Sequence, residues 1–351
     1  APLAARRRVS RWWLAFVIIG SLVGLLGIAS LLIRVPYATI APGSARQVNS
    51  LVVVTGHEVY PPKGKVLFTT VGVQDHVSAM QAIIGWLDPT VDVISEKTLR
   101  GTIPADRYQQ LNVEAMADSK TSAEELVLRR LGYTDLGVGA HIHDIDPTLP
   151  AASVLKLKDL IVAVDATPVT TSAEAANAIR AHQPGESITV TVVRDGAPPT
   201  DYSAVLAKGD EGQPLLGVRM TTQIKLPFGI DIDSGNVEGP SAGLAYSLAL
   251  LDELTPGELT GGRKVAVTGE LRADGKVGPI GGVAQKAVAV RRAGAKLFLV
   301  PRDNFAEAKR HAGDGLEVRA VDSFDQALEV LGSFEGSNAL ALAHPGGGAG
   351  S

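Results

Sequence analysis

The sequence predicts an α+β multidomain protein with one N-terminal transmembrane helix, a juxtamembrane αβ region and two further folded domains. Three observations predict it. Residues 12–33 contain no charged side chain, the chain of 351 residues is too long for one ordinary domain, and from residue 34 onward short β-branched strand signals mix with helical periodicities.

Composition removes whole classes of function. Hydrophobic residues make up 45% of the chain and charged residues 20%, which fits a folded protein with one membrane segment added. A net charge of -4 gives no electrostatic basis for nucleic-acid binding. With no cysteine there is no disulfide, thiolate zinc site, iron–sulfur cluster or cysteine nucleophile. No residue pattern calls for a cofactor.

The N-terminus sets the topology. Arg6, Arg7, Arg8 and Arg11 form a basic stub over residues 1–11. The apolar run at 12–33 would span about 33 Å as a helix, the thickness of a hydrocarbon core. It is longer than the core of a cleaved signal peptide and has no polar stripe, which separates it from a buried soluble helix. Trp12 and Trp13 sit where interfacial aromatics anchor a span. The positive-inside rule keeps the arginines in the cytoplasm, so the rest of the chain is expected outside it, with the lipid bilayer as a partner.

The juxtamembrane region covers residues 34–133. Strands are expected at 48–55 and 65–73, the second following the Pro61-Pro62-Lys63-Gly64 turn, and helices at 78–87 and 122–131. Thr121 or Ser122 would cap the latter, with Glu124 and Glu125 in its first turn. Residues 134–208 read as a small module, with strands at 138–145, 160–164 and 187–194 around a helix at 172–182. Asp195-Gly196 is its hairpin turn. Residues 209–334 carry a helix from Ser241, a strand at 264–268, a second helix at 283–293 ended by Gly294, a strand at 297–300, and helices at 305–311 and 323–331. Residues 335–351 are Gly- and Ala-rich and are expected to be disordered.

The chemistry concentrates in the third block. Glu238-Gly239-Pro240-Ser241-Ala242-Gly243 places a serine at a helix start, where free N–H groups and the helix dipole can hold an oxyanion. Gly239 and the other small neighbours let a substrate backbone come close. The simpler role for such a serine is a helix cap. Lys286 shares a helix stripe with Val283, Ala287, Val290 and Ala293, while Gln285, Arg291 and Arg292 lie off it. A lysine on an apolar stripe either snorkels outward or is desolvated, and desolvation makes it a base near neutral pH.

Four motifs in series then stand out: Gly239-Pro240-Ser241-Ala242-Gly243, Thr268-Gly269-Glu270, Gly278-Pro279-Ile280-Gly281-Gly282, and Lys286 four residues later. In order and spacing they resemble the proteolytic domain of Lon proteases. The resemblance implies Ser241 as nucleophile, Lys286 as general base, and Thr268 as the threonine that helps orient the amine. Glu238 occupies a variable acidic position. The small module resembles a PDZ domain. Gly137-Val138-Gly139-Ala140 fits the loop whose amides cradle a C-terminal carboxylate, with a peptide adding as a strand beside residues 140–145. Lys158 departs from that pattern, standing where a glycine usually precedes Asp159. PDZ and Lon-type proteolytic domains behind one anchor resemble the YlbL-type PDZ-containing Lon-like proteases, which implies a bacterial cell membrane, an extracytoplasmic catalytic domain, protein or peptide substrates and a possible homo-oligomer.

Other readings fare worse. The Gly-x-Ser-x-Gly elbow of α/β-hydrolases needs a later acid and histidine, and His311 is the only histidine after it outside the tail. The stretch from Gly269 to Gly275-Lys276-Val277 fails as a phosphate loop, so the enzyme should work without ATP. His141 and His143 share a strand face but no third ligand is evident, and no metal site is expected. A peptide-binding adaptor without catalysis would have no need of a lysine on an apolar stripe.

Overall fold

The computed structural model describes residues 11–209 and 211–343. Arg6, Arg7 and Arg8, and tail residues 344–351 with His344, lie outside the described residues.

The first helix runs Arg11–Leu32, and its stretch Trp12–Leu32 has mean hydropathy 2.5 with none of it buried in the protein. It is long and apolar enough to cross a membrane.

Beyond it lies a mixed six-stranded sheet in the order Glu317–Val321, Leu297–Pro301, Lys264–Val267, Lys65–Gln74, Tyr37–Gln47, Asp92–Ser95. The first four strands run parallel and the last two pairings are antiparallel. Strand Val52–Thr55 pairs separately with Gly229–Ile232. Val48, Val52, Val66, Phe68 and Met116 therefore share one core with Tyr246, Leu248, Val267 and Leu299. This corrects the expectation of a separate juxtamembrane region at 34–133. Its strands complete the sheet of the C-terminal part, because neither set alone covers its apolar face.

The expected strand at 48–55 is a 3-10 turn, Asn49–Leu51, followed by Val52–Thr55. Strand Tyr37–Gln47 was masked in the sequence by Pro42-Gly43, which a register shift between Pro42 and Ala45 accommodates. The helix expected at 122–131 begins at Ala105 and ends at Arg130. No cap forms at Thr121 or Ser122, since Met116, Ser119 and Ala123, all buried, carry the packed stripe straight through. The expected disorder at 335–351 fails for part of its length. Ala339–Ala343 is a helix whose Ala339 and Ala343 are buried in the main core, small enough to dock closely on helix Phe324–Gly332.

The small module is an insertion between this long helix and Gly229–Ile232. It has its own core, with Ile142, Ile161, Ile188 and Val190 at the centre. Its antiparallel sheet has the order Val218–Ile224, Gly137–Ile145, Leu160–Val164, Ser187–Val193, Thr200–Val205. The chain enters and leaves side by side, with Lys225 N–H donating to the Leu136 carbonyl at 2.8 Å. Lys158 adopts φ 71°, the left-handed conformation that the missing glycine would favour. Asp159 next to it holds the turn. Fully buried, it accepts from Arg194 Nε and Nη2, both at 2.7 Å, and from Lys156 N–H at 2.8 Å. Asp159→Ala is expected to cost the module roughly 3 kcal/mol by stranding Arg194, read as lost hydrogen-exchange protection over Ile142, Ile161 and Val190 with Tyr246 and its neighbours unaffected.

Candidate active site

Ser241 lies in a 3-10 turn, Pro240–Ala242, that feeds helix Gly243–Leu254. The helix thus starts two residues later than its sequence indicates. Gly239 takes φ +89° and turns the chain into it. A side chain at Gly243 would come within 2.5 Å of Ser119 Oγ, so the backbone passes where only glycine fits. Ser241 is not a helix cap. The cap residue of helix Gly243–Leu254 is Ala242, without a side-chain bond, and Ser241 Oγ faces another partner.

That partner is Lys286, on helix Val283–Arg292. The helix is wedged between the Tyr37–Gln47 and Lys65–Gln74 strands and helix Arg302–Ala312, and every residue from Val283 to Val290 is buried. Gln285, expected off the apolar stripe, is buried too, since both helix faces are covered. Gly282 caps the helix at φ +65°, where a side chain would press on Val71. Lys286 is 2% exposed, and its Nζ stands 2.6 Å from Ser241 Oγ and 3.1 Å from Thr268 Oγ1. Burial pulls the amine down from 10.5 to about 7, because an ammonium loses its hydration there.

Thr268 works on both sides of this contact. Its hydroxyl donates to the Ser241 carbonyl at 3.1 Å and accepts from Lys286. The next N–H, of Gly269, donates to the same carbonyl at 2.9 Å. The Thr268-Gly269 pair thus pins the serine backbone from the sheet side. The long helix pins it from the other side. Gly239 N–H donates to the Asn112 carbonyl at 2.9 Å, and Ser119 Oγ donates to the Pro240 carbonyl at 3.0 Å. In a trans peptide the N–H points opposite to the C=O, so holding the Pro240 carbonyl aims Ser241 N–H away from Ser119. Asn112 and Ser119 were not expected from the sequence. Their signal is the stripe 109, 112, 116, 119, 123 on one helix face, legible only once the helix is known to start at Ala105.

The pair opens into a cleft of about 1270 Å³, bordered by Arg46, Thr70, Asn112, Gly239 and Gly281. The neutral amine can accept the serine proton along the same 2.6 Å line on which the ammonium donates. Glu238 is not part of the pair. It is exposed and accepts from Gln109 Nε2 at 3.2 Å.

The small module's loop is less open than expected. Gly137, Gly139 and Ala140 pair with Ile224, Gln223 and Thr222 of the chain's own exit strand, and Gly139 N–H donates to the Thr170 carbonyl. Ser172 N–H donates to Thr222 Oγ1 at 3.1 Å. The edge beside residues 140–145, expected for a visiting peptide, is therefore occupied in cis. The glycines have a local reason as well, because a side chain at Gly137 or Gly139 would strike the Thr170 or Ile161 carbonyl. His143 faces the long helix rather than a metal partner on its own strand, with Nδ1 3.5 Å from Glu114 and Nε2 4.0 Å from Asp118. Burial, more than the neighbouring His143 and Lys158, lowers the pKa of His141.

Comparison with known proteins places the two units. The Lon protease (S16) C-terminal proteolytic domain matches residues 220–332, and the PDZ domain matches residues 114–200. A Lon protease of Desulforamulus reducens is 34% identical over 138 residues, 37% of this chain and 16% of that protein. A Lon protease of Haemophilus influenzae is 34% identical over 131 residues, 36% of this chain and 16% of that protein. A crystal structure of the PDZ domain of an SdrC-like protein from Listeria monocytogenes aligns with TM-score 0.23 and 23% identity, covering 24% of this chain and 87% of that one. The chain spans less than a fifth of the length of the two Lon proteases.

Proposed function

Starting from a chain that carries a PDZ domain and a Lon-type serine-peptidase domain, we propose a membrane-anchored, ATP-independent endopeptidase that cleaves extracytoplasmic proteins with a Ser241–Lys286 dyad. The observation that carries this is the buried amine 2.6 Å from Ser241 Oγ.

Neutral Lys286 takes the Ser241 proton as Oγ attacks the scissile carbonyl. Backbone N–H groups at the start of the serine helix receive the oxyanion. Thr268 accepts one amine hydrogen, which leaves the nitrogen lone pair directed at the serine. The ammonium then protonates the leaving amine, and water activated by the regenerated amine releases the acyl group. Gly239 keeps the approach to Ser241 open because it carries no side chain, and its φ of +89° disfavours any residue that has one. The apolar N-terminal helix supports the anchor, and the arginines ahead of it support an outward-facing cleft.

The test is a fluorophosphonate serine probe on the full chain. The probe is expected to label Ser241, with a rate that climbs as pH rises through about 7, as Lys286 gives up its proton. Labelling should vanish in Ser241→Ala and fall steeply in Lys286→Met. A wild-type protein inert to the probe from pH 6 to 9 would instead be a non-catalytic peptide-binding scaffold.

A further inference from the structure

The helix Ala79–Leu87, AMQAIIGWL, is built inside out for a surface helix. It has no charged residue. Its small residues, Ala82 and Gly85, face the protein and are buried, whereas Ile83, Ile84, Trp86 and Leu87 face outward with 45%, 58%, 60% and 80% exposure. A helix on a water-facing surface turns its large apolar side inward. Here Gly85 packs so closely on Val93, Val91 and Thr39 that a side chain would meet Val93 at 2.7 Å. That close seat holds the helix against the sheet and forces its bulky face out.

Its place in the fold names the solvent for that face. The helix starts where the membrane-length helix ends: Ala79 N–H donates to the Ile33 carbonyl at 2.9 Å, and Val35 N–H to the Val77 carbonyl at 3.0 Å. Leu31, Leu32 and Ile33 are also exposed, so the bulky face continues the apolar surface of the first helix. At the junction Arg34 donates to the His76 carbonyl at 3.2 Å, and Tyr37 meets Trp86 edge to face at 5.6 Å. A cation and two aromatics at the end of an apolar span are the side chains that settle at the headgroup level.

We propose that helix Ala79–Leu87 is a second membrane contact, lying in the outer lipid interface with Ile83, Ile84, Trp86 and Leu87 among the acyl chains. The contact rests on the reading of Trp12–Leu32 as a span. With two points of attachment the catalytic part is held at a fixed tilt to the bilayer, rather than swinging on a single helix.

The three tryptophans of the chain, Trp12, Trp13 and Trp86, allow the two contacts to be read apart. The full chain is reconstituted in phosphatidylcholine vesicles with or without bromine on the acyl chains. In Trp12→Phe/Trp13→Phe, Trp86 is the sole emitter, and bromine near the headgroup is expected to quench it by about twofold or more, as for interfacial tryptophans. Trp86→Phe keeps Trp12 and Trp13 and reports the span. Quenching there with none at Trp86 overturns the second contact and leaves the span standing. Quenching in neither overturns both. Trp86 emission that ignores bromine but shifts with the protein-to-lipid ratio means that a second copy covers the face, and also overturns the proposal. A further substitution, Leu87→Glu in the sole-Trp86 protein, is expected to reduce the quenching while leaving probe labelling of Ser241 unchanged.

Discussion

Ser241→Ala and Lys286→Met should each lower kcat for peptide cleavage by about four orders of magnitude or more, and the double substitution should cost little beyond either one. The reason lies in the shared geometry. Among the described residues the hydroxyl's side-chain partner is the Lys286 amine alone, and that amine, sealed at 2% exposure, meets only the Ser241 and Thr268 hydroxyls. Groups that act as a unit fail as a unit. Steady-state and single-turnover rates on a peptide substrate measure this directly. Additive losses in the double variant would mean that the two residues serve separate steps. Thr268→Val should be milder, since it leaves the nucleophile and base in place and removes only the bond that steers the amine and one of the two bonds to the Ser241 carbonyl.

The second large effect runs in the opposite direction. Lys286→Met should make the protein more stable at neutral pH while abolishing activity. An amine at about 7 in the folded chain and 10.5 in the unfolded one is held against its preferred charge. Between these values the unfolded state binds more protons, so wild-type stability rises with pH across that window. Below about 7 the cost is at its full size, on the order of 4 kcal/mol, before the lost bonds to Ser241 and Thr268 are subtracted. Methionine fills the same unbranched space without charge. Chemical denaturation from pH 6 to 10 is expected to show the variant ahead by about 2 kcal/mol or more at pH 6–7, with the gap closing as pH climbs toward 10. A constant gap would mean that packing, rather than ionisation, separates the two proteins. The wild type thus gives up stability to keep a reactive amine, the usual relation between a strained site and its function.

Much of the site is legible in the amino-acid sequence. The Ser241 and Lys286 segments carry dense local signals: small residues around a serine, and a lysine on an apolar stripe whose next element starts after Gly294. Thr268 came only through the family resemblance, because nothing local marks a threonine at a strand end. What could not be read is the long-range partnership. The strand of Tyr37–Gln47 pairs with Lys65–Gln74, which in turn pairs with Lys264–Val267, and a β pairing across some two hundred residues leaves no trace in periodicity. The start of the long helix is hidden in the sequence for a related reason. From Ala105 to Ser119 it is polar on most faces, and the two residues of that stretch that are buried, Met116 and Ser119, include only one apolar side chain. Ser119 is buried only because a glycine-lined turn leaves room for it. The inserted module concealed the rest, since it separates the long helix from the strand and serine turn that complete the same core.

The exit strand of the PDZ module has a further consequence. Val218–Ile224 runs antiparallel along nearly the whole of Gly137–Ile145 and is covalently tethered at both ends. A tether of this kind presents its segment at an effective concentration on the order of millimolar. A free peptide offering the same backbone pairings at micromolar levels competes at a disadvantage of several hundredfold or more. Only a ligand with contacts that Val218–Ile224 lacks can take that edge, and by taking it would free the segment that leads, through Gly229–Ile232, to the serine turn. Occupancy of this module is a contest between neighbours in one chain before it is a meeting with any other protein.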